Sequence, residues 1–277
     1  MNHIANVEAW SGKTRGDENF PVGSHLIRPD LRPHVHAFYN FARNADDIAD
    51  SPDLAPEDKL ARLDVMEDVL LGRREDGSPS ALVLRDSLAK TRVKPIHATE
   101  LLIAFRLDAT KRRYATLSEL YEYCRYSAAP VGRHVLDLHR EPHTTHAPSD
   151  ALCSALQILN HMQDCAKDLA TLDRCYLPDD LLAEFGTSIA DLRRPGTTPG
   201  LRKVFDSLLH RVERMTTFAS DLPPRTRDRR LRLETAVIVG LAKRLANRLA
   251  KQDPLARPVK LSRFDFATSV LAALRHI

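Results

Sequence analysis

LCSALQILNHMQDCAKDLA, residues 152–170, carries the strongest indication of fold in the chain. Its apolar residues Leu152, Leu156, Leu159 and Met162 recur every three or four positions, which is the period of an α-helix packed on a core. Apolar residues recur with the same spacing along most of the chain, which contains only ten glycines. Because no segment shows the strict alternation of a half-buried strand, we predict an all-α protein.

Helical patterns occur in eight places along the sequence, this segment included, and they are joined by short connections that contain Pro, Gly or Thr. We find no fixed-period repeat and no linker long enough to separate two folded units. The pattern therefore predicts one all-helical domain over residues 1–277. The predicted helices are 33–50, 56–72, 80–91, 97–107, 116–136, 149–170, 199–219 and 229–252.

Composition excludes several classes of protein. The formal net charge is +4 and the basic residues are spread along the chain, which argues against a nucleic-acid-binding protein. The four cysteines lack paired spacing, which is typical of free thiols in a reducing compartment. Met1–Phe20 contains no apolar run of a secretory signal, and no stretch reaches transmembrane length. We expect a cytoplasmic protein.

A first polar stripe lies on the predicted helix 33–50. Tyr39, Arg43, Asp46 and Asp50 are spaced by four, three and four residues, so they share one helix face, and Asp47 lies beside them. Two aspartates one turn apart destabilise a helix by a few tenths of a kcal/mol, roughly, unless a cation neutralises them. Mg²⁺ bound to phosphate oxygens commonly takes one or two protein carboxylates, so it suits this pair.

A second polar stripe lies on the predicted helix that contains residues 152–170. Gln157, Asn160, Asp164 and Asp168 are spaced by three, four and four residues, on a helix that is otherwise apolar. Burying this line without compensation would cost several kcal/mol, roughly. The economical explanation is that both stripes face one cavity, in which two or three Mg²⁺ ions and a diphosphate neutralise the carboxylates.

The alternative is an ordinary solvated surface, since aspartates at positions i and i+4 are common there. One such pair alone would favour that interpretation. Two matched stripes, one extended by Tyr and Arg and the other by Gln and Asn, favour the cavity.

At these residues the sequence resembles the squalene/phytoene synthase family. The first motif of that family is similar to Tyr39–Asp50, and its second motif, followed by Tyr-Leu-Pro, is similar to Gln157–Asp168 with 176–178. YCRYSAAPVGR, residues 123–133, resembles the family's central helix, in which Pro130 gives a reason for a kink. The resemblance spans about residues 17–263 and implies the isoprenoid synthase fold, a single-domain helical bundle with a central active-site cavity.

Within this family the chain looks most like the bacterial hydroxysqualene synthases of hopanoid pathways, chiefly at ENFPV, residues 18–22. That resemblance implies ionisation of presqualene diphosphate, rearrangement of the carbocation and capture by water, with release of hydroxysqualene and diphosphate. It also implies a carbon–oxygen lyase that needs Mg²⁺ and no NADPH. We further expect transient contact with a membrane surface and an enzyme that supplies presqualene diphosphate.

The resemblance also implies roles for single residues. The aspartates are expected to bind metal, and Arg43 is expected to bind the diphosphate. Ser24, Arg257 and Lys260 are expected to make further contacts with the substrate. Tyr39, Tyr123, Gln157 and Asn160 are expected near the reacting end of the substrate. The implied metal ligands are Asp46, Asp47, Asp50, Asp164 and Asp168. Residues 170–174, ATLDR, differ from the more basic, glycine-containing stretch typical of the family, so the resemblance does not extend to the contacts of this loop, although it still covers the metal ligands.

Two alternatives stay open from the sequence. One is a prenyltransferase that condenses two prenyl diphosphates to presqualene diphosphate or phytoene, because the metal motifs are the same. The other is a non-catalytic helical interaction protein, against which the retention of the principal aspartates and Arg43 argues. The basic amphipathic segment with Leu241, Leu245 and Leu249 is expected to pack on the core rather than on a membrane.

Overall fold

The chain folds into helices in the computed structural model, which describes residues 6–8 and 26–276. Within these residues an isolated bridge between Asn6 and Gly77 is the only extended pairing, which confirms the all-α prediction. Short 3-10 turns occupy 143–145, 189–193 and 274–276. The helices are α1 Arg32–Asp50, α2 Pro56–Leu70, α3 Pro79–Thr91, α4 Ile96–Thr110, α5 Leu117–Ser127, α6 Ala129–Leu138, α7 His146–Leu172, α8 Asp179–Glu184, α9 Pro199–Ala219, α10 Leu222–Arg225, α11 Arg229–Lys251 and α12 Arg263–Ala273.

The predicted helix 116–136 is in fact two helices. The chain breaks at Ala128, whose φ of −123° and ψ of −50° belong to neither α5 nor α6. Pro130 lies in the first turn of α6, where its missing N–H leaves no hydrogen bond unmade. The kink expected from this proline is therefore a complete break one residue before α6.

Three helices were not predicted from the periodicity. α8 and α10 are only six and four residues long. α12 is longer, but it buries few apolar side chains and so lacks a clear periodic pattern. Its usable sequence signal is the capping box formed by Ser262 and Asp265, whose side chains each accept a hydrogen bond from the other's backbone N–H.

Helix α7 organises the bundle. It spans 27 residues and packs against α5, α6, α9 and α11, while α1 packs against α2, α3 and α4. α5 and α6 contact both α4 and α7, so they join the two groups. α1 and α7 thus lie on opposite walls of an interior cavity.

Close helix packing beside that cavity depends on Gly132. A Cβ placed there would lie 2.3 Å from Oγ of Ser149 and 2.8 Å from Sγ of Cys153, both on α7. The absence of a side chain therefore lets α6 approach α7 closely. The four cysteines are free, as predicted. Among the described helices, none is both long and apolar enough to cross a bilayer.

Candidate active site

The two polar stripes meet across one cavity of about 340 Å³. α1 carries one stripe on the wall opposite α7, and the 3.6-residue repeat of each helix keeps its stripe on the cavity side. The residues of the stripes that line the cavity are Tyr39, Arg43, Asp46, Asp50, Gln157, Asn160, Asp164 and Asp168. Residues more than one hundred positions apart in sequence are therefore neighbours in space.

Arg43 is fixed by two aspartates of its own helix. Its Nε and Nη2 donate hydrogen bonds of 3.0 and 2.6 Å to Oδ1 of Asp47, and Nη2 lies 2.9 Å from Oδ2 of Asp46. Asp47 is buried, whereas the Asp46 side chain is about one third exposed. A guanidinium held in this way at the cavity wall can bind a diphosphate without losing much side-chain freedom.

The opposite wall is strongly acidic. Burial, together with the neighbouring carboxylates of Asp164 and Asp50, raises the pKa of Asp168 to about 7. Carboxylates crowded in this way hold more negative charge than nearby side chains neutralise. An oxygen-rich, anionic wall fits the donor set that Mg²⁺ takes when it bridges to phosphate.

Arg174 is a site residue that the sequence analysis missed. It is almost fully buried, and its Nη1 donates a hydrogen bond of 2.9 Å to Oδ1 of Asp50. The same nitrogen lies 3.7 Å from Oδ1 of Asp108, and Nη2 donates to the backbone carbonyl of Asp108 at 2.7 Å. Arg174 therefore links the first stripe to α4.

Asp108 was also missed, and it is the centre of a buried polar network. Tyr123 donates its hydroxyl to Oδ2 and Tyr176 donates its hydroxyl to Oδ1, both at 2.7 Å. Burial raises the pKa of Asp108 to about 6, while Arg174 opposes that rise. The pKa of both tyrosines is raised well above its usual value, first by burial and then by Asp108. Tyr123 and Tyr176 therefore line the cavity as neutral phenols, not as phenolates.

His161 lies on the same wall as the second stripe. Its ring stacks on that of Tyr176 with centroids 3.6 Å apart, and the amide nitrogen of Gln157 donates to its Nε2 at 3.2 Å. Burial lowers the pKa of His161 to about 3, and the charge of Arg174 acts in the same direction. The imidazole is consequently neutral at physiological pH.

A second, apolar cavity of about 320 Å³ adjoins the first. Tyr39, Ala42, Val131 and Asn160 line both, so they form the boundary between a polar compartment and an apolar one. Phe38, Leu152, Leu156 and Ile238 are among the residues that line the apolar compartment. The arrangement can hold an anionic head group against the carboxylates and a hydrocarbon chain beyond Tyr39 and Asn160.

Comparison with known proteins relates this geometry to a family. The family model for squalene/phytoene synthase matches residues 13–265. The chain belongs to the squalene/phytoene synthase family.

Members with similar sequences include two bacterial proteins. A hydroxysqualene synthase of Rhodopseudomonas palustris is 46% identical over 267 residues, which are 96% of this chain and 91% of the relative. A hydroxysqualene synthase of Sinorhizobium fredii is 42% identical over 258 residues, which are 93% and 88%. The resemblance recognised from the motifs is thereby confirmed.

Solved structures of squalene/phytoene synthases confirm the predicted isoprenoid synthase fold. The squalene synthase HpnC of Alicyclobacillus acidocaldarius superposes with a TM-score of 0.74 at 32% identity, over 84% of this chain and 89% of that one. A dehydrosqualene synthase solved with a ligand gives a TM-score of 0.80 at 21% identity, over 94% and 92%, and it supports the fold alone. As a member of this family the chain is an enzyme that acts on prenyl diphosphates, and such enzymes generally depend on metal.

The remaining predicted site residues of this squalene/phytoene synthase fall elsewhere. Ser24 and the segment 18–22 lie outside the described residues. Arg257 and Lys260 are exposed in the connection between α11 and α12 and line neither cavity described above. That connection touches α7, because the amide of Gln163 donates to the carbonyl of Val259. Their roles in substrate binding stay predictions.

The missed residues carried weak sequence signals. Arg174 lies in a stretch that differs from the family pattern, and Asp108 lies on a helix without a polar stripe. His161 could have been found, because it follows Gln157 by four positions and precedes Asp164 by three, which places it on the same helix face.

Proposed function

We propose that this chain is a hydroxysqualene synthase, a carbon–oxygen lyase that converts presqualene diphosphate and water into hydroxysqualene and diphosphate. The observation that carries the proposal is the 46% identity to the Rhodopseudomonas palustris hydroxysqualene synthase over almost the whole chain. The joined polar and apolar cavities support it, since they suit a substrate with one anionic end and long hydrocarbon chains.

Ionisation begins at the polar end of the cavity. Asp46, Asp50, Asp164 and Asp168 would hold Mg²⁺. Asp47 accepts hydrogen bonds from Arg43 and lines an adjoining pocket with Asp50, Asp164 and Asp168, so it is a further candidate ligand. Bound Mg²⁺ supplies positive charge that stabilises the departing diphosphate. Arg43 binds the diphosphate oxygens, and Asp46 and Asp47 hold its guanidinium in place.

The carbocation then forms beside the wall that carries Tyr123 and Tyr176. Both hydroxyl groups donate to Asp108, so they keep the carboxylate away from the cation. The ring of Tyr123 can attract a cation without forming a bond to it, whereas the ring of Tyr176 is stacked against His161 and Tyr114. Gln157 and Asn160 add amide dipoles, and the apolar compartment excludes bulk water from the hydrocarbon chains.

The bonds broken and formed in this reaction balance without an external reductant. The carbon–oxygen bond to diphosphate breaks with its electron pair leaving on oxygen, and water supplies the new oxygen. Carbon is neither reduced by an external hydride nor oxidised, so no NADPH is expected. An enzyme that condenses two farnesyl diphosphates must supply the substrate, and we propose such an enzyme as a partner in the pathway.

The competing function is the condensation of two prenyl diphosphates to presqualene diphosphate or phytoene. The carboxylates and Arg43 suit it equally well, because it begins with the same ionisation. The identity to proteins named hydroxysqualene synthase favours water capture.

The test is product analysis with purified protein and Mg²⁺. Presqualene diphosphate and farnesyl diphosphate are supplied separately in water enriched in ¹⁸O, and the organic extract is analysed by mass spectrometry. We expect labelled hydroxysqualene from presqualene diphosphate and no product from farnesyl diphosphate. Consumption of farnesyl diphosphate would assign the chain to the condensing enzymes, and turnover of neither would favour the non-catalytic alternative.

A further inference from the structure

His161 occupies a position that the metal and diphosphate roles leave unexplained. Its ring lines the carboxylate cavity, and contacts on two sides fix it there. Tyr176 stacks on one face of the ring, and Gln157 hydrogen-bonds to Nε2. An imidazole held in this way is oriented before the substrate arrives.

Other candidate bases on the cavity wall hold the two tyrosines or are assigned to metal, whereas Nε2 of His161 accepts one hydrogen bond from a neutral amide. Each oxygen of Asp108 accepts a hydrogen bond from a tyrosine hydroxyl. The aspartates of the two stripes are assigned to metal, and Arg43 and Arg174 are cations. Among the described residues that line this cavity, His161 is the one that offers a neutral imidazole nitrogen.

A further polar group on the wall suits a bound water. Oγ of Ser127, at the end of α5, is buried and has no hydrogen-bond partner among the described residues, and it lines the same cavity. Buried water typically makes two to four hydrogen bonds, roughly, to groups of this kind. Ser127, Gln157 and His161 offer these bonds from two walls.

We propose that His161 holds the water that captures the carbocation and accepts the proton which that water loses. This inference rests on the proposed function. The water oxygen forms a bond to the cationic carbon, one O–H bond of the water breaks, and the proton passes to Nε2 of His161, whose hydrogen bond from the Gln157 amide breaks as the new N–H bond forms. An oxonium ion is a strong acid, so even a weakly basic imidazole takes its proton. Without this held water, the cation would lose a proton from carbon and give alkenes.

His161→Phe tests the proposal, because it keeps a ring that stacks on Tyr176 and removes both nitrogens. Presqualene diphosphate is the substrate, and diphosphate release is measured together with the alcohol and alkene products. We expect the alcohol share to fall at least about tenfold in favour of alkenes, while diphosphate release continues. His139→Phe is the matched control, since His139 is buried but lines neither cavity, and it should keep the wild-type product ratio.

Each outcome has a distinct meaning. An unchanged alcohol share in a folded His161→Phe variant would overturn the role of His161 and leave the proposed function intact. Loss of diphosphate release together with the alcohol would also overturn it, because His161 would then act in ionisation. A wild-type enzyme that makes no alcohol would instead refute the proposed function. If His161→Phe does not fold, as judged by circular dichroism, His161→Leu carries the same expectations.

A second, independent observation concerns α12. Nine large apolar side chains are exposed among the described residues, and four of them lie between positions 264 and 274. Phe264 and Leu271 are 72% and 70% exposed, and Val270 and Leu274 lie beside them on one face. A clustered apolar face of this kind marks an interaction surface.

The opposite face of α12 is firmly packed. Ser269 is buried and accepts a hydrogen bond from Nε of Arg244, and Asp265 is held by Arg248 at 2.6 Å. Asp265 also closes the capping box with Ser262. The exposed apolar face is therefore presented by an anchored helix.

The segment that contains this face is basic. Residues 251–275 contain five basic side chains and two acidic ones, and both acids are engaged within the protein. Asp253 accepts hydrogen bonds from Thr197, and Asp265 is paired with Arg248. The basic residues are Lys251, Arg257, Lys260, Arg263 and Arg275. Apolar side chains flanked by basic ones match the interface of an anionic bilayer.

The geometry points to α12 as the surface that docks the enzyme on an anionic lipid membrane. Leu241, Leu245 and Leu249 of α11 are fully buried, so the basic helix noted in the sequence contributes no apolar face of its own there. The inference does not depend on which reaction the enzyme performs.

Co-sedimentation with vesicles tests it. We expect the full chain to bind phosphatidylglycerol-containing vesicles, with weaker binding to pure phosphatidylcholine. The double variant F264S/L271S should bind at least about tenfold more weakly, because it removes two large apolar contacts. V83S is the matched control, since Val83 is exposed on α3, and it should bind like the wild type.

Wild-type affinity in F264S/L271S, or no binding of the wild type to either vesicle, would overturn this second inference. So would a wild-type dimer that the double variant converts to a monomer without lipid, because the face would then join two copies. Turnover in detergent should be equal for the wild type and the double variant.

Discussion

Arg174 donates a hydrogen bond of 2.9 Å to Asp50, joining the residue before the buried Cys175 and Tyr176 to the last residue of α1. This bond brings a guanidinium into a wall that otherwise holds carboxylates. It also places Arg174 against Asp108, on which Tyr123 and Tyr176 depend for their orientation. Arg174 thus links Asp50, a predicted metal ligand, to the wall formed by the two tyrosines.

Arg174→Met should destabilise the protein by about 3 to 5 kcal/mol, because it leaves Asp108 as a buried charge without its cation. Urea unfolding measures the loss. Adding Asp108→Asn to this variant should recover part of the stability, since the stranded charge is removed. Arg225→Met is the control, because Arg225 forms an exposed pair with Asp221, and it should cost less than about 1 kcal/mol. A double variant less stable than Arg174→Met would contradict this account.

Asp164→Asn should reduce turnover by roughly a hundredfold or more, because it removes a carboxylate from the predicted metal site. Asp46→Asn should act in the same direction. Turnover is measured across a range of Mg²⁺ concentrations, with circular dichroism to confirm folding. Asp206→Asn, which alters an exposed aspartate of α9, should leave activity unchanged. Full activity of Asp164→Asn at limiting Mg²⁺ would refute the metal assignment.

His134 should make folding stability depend on pH. Burial lowers its pKa from 6.5 to about 3, and the nearby His97 acts in the same direction. Between these values the unfolded chain binds a proton that the folded chain does not, so stability falls as pH falls. At pH 5 this one residue should cost about 2 kcal/mol relative to pH 7.5.

Urea unfolding of the wild type and His134→Phe at both pH values measures this effect. Phe38 stacks on His134 with centroids 3.9 Å apart, a contact that a phenyl ring can keep. The variant should lose less stability on acidification, whereas the control His210→Gln, at an exposed position, should behave like the wild type. Equal pH dependence in all three proteins would show that His134 is not the titrating group.

Gly132→Ala should destabilise the protein by about 1 to 3 kcal/mol. The new methyl group would collide with Ser149 and Cys153 unless α6 moves away from α7. Thermal unfolding measures the change. Gly132→Ala combined with Ser149→Gly should be more stable than the single variant, since it removes the closest side-chain atom. No rescue by Ser149→Gly would argue against this collision as the cause.

The sequence was most informative where a structural property is local. The 3.6-residue period located the main helices, and the same period put Asp46 with Asp50 and Asp164 with Asp168 on single helix faces. It failed at α12, because that helix exposes much of its apolar surface instead of burying it. It also joined α5 to α6, because the break at Ala128 depends on packing more than on residue type.

The sequence by itself determined the helical class, the two carboxylate stripes and the resemblance to squalene/phytoene synthases, since all of these reside in residue types at short spacing. Only the tertiary structure decided that Arg174 pairs with Asp50, that Asp108 orients two tyrosines, and that His161 faces the cavity beside Gln157. Residues 50 and 174 are 124 positions apart, and no local pattern fixes such a pair. Their contact arises because burial of the apolar faces of α1, α4 and α7 brings the remaining polar groups together, where each must find a partner.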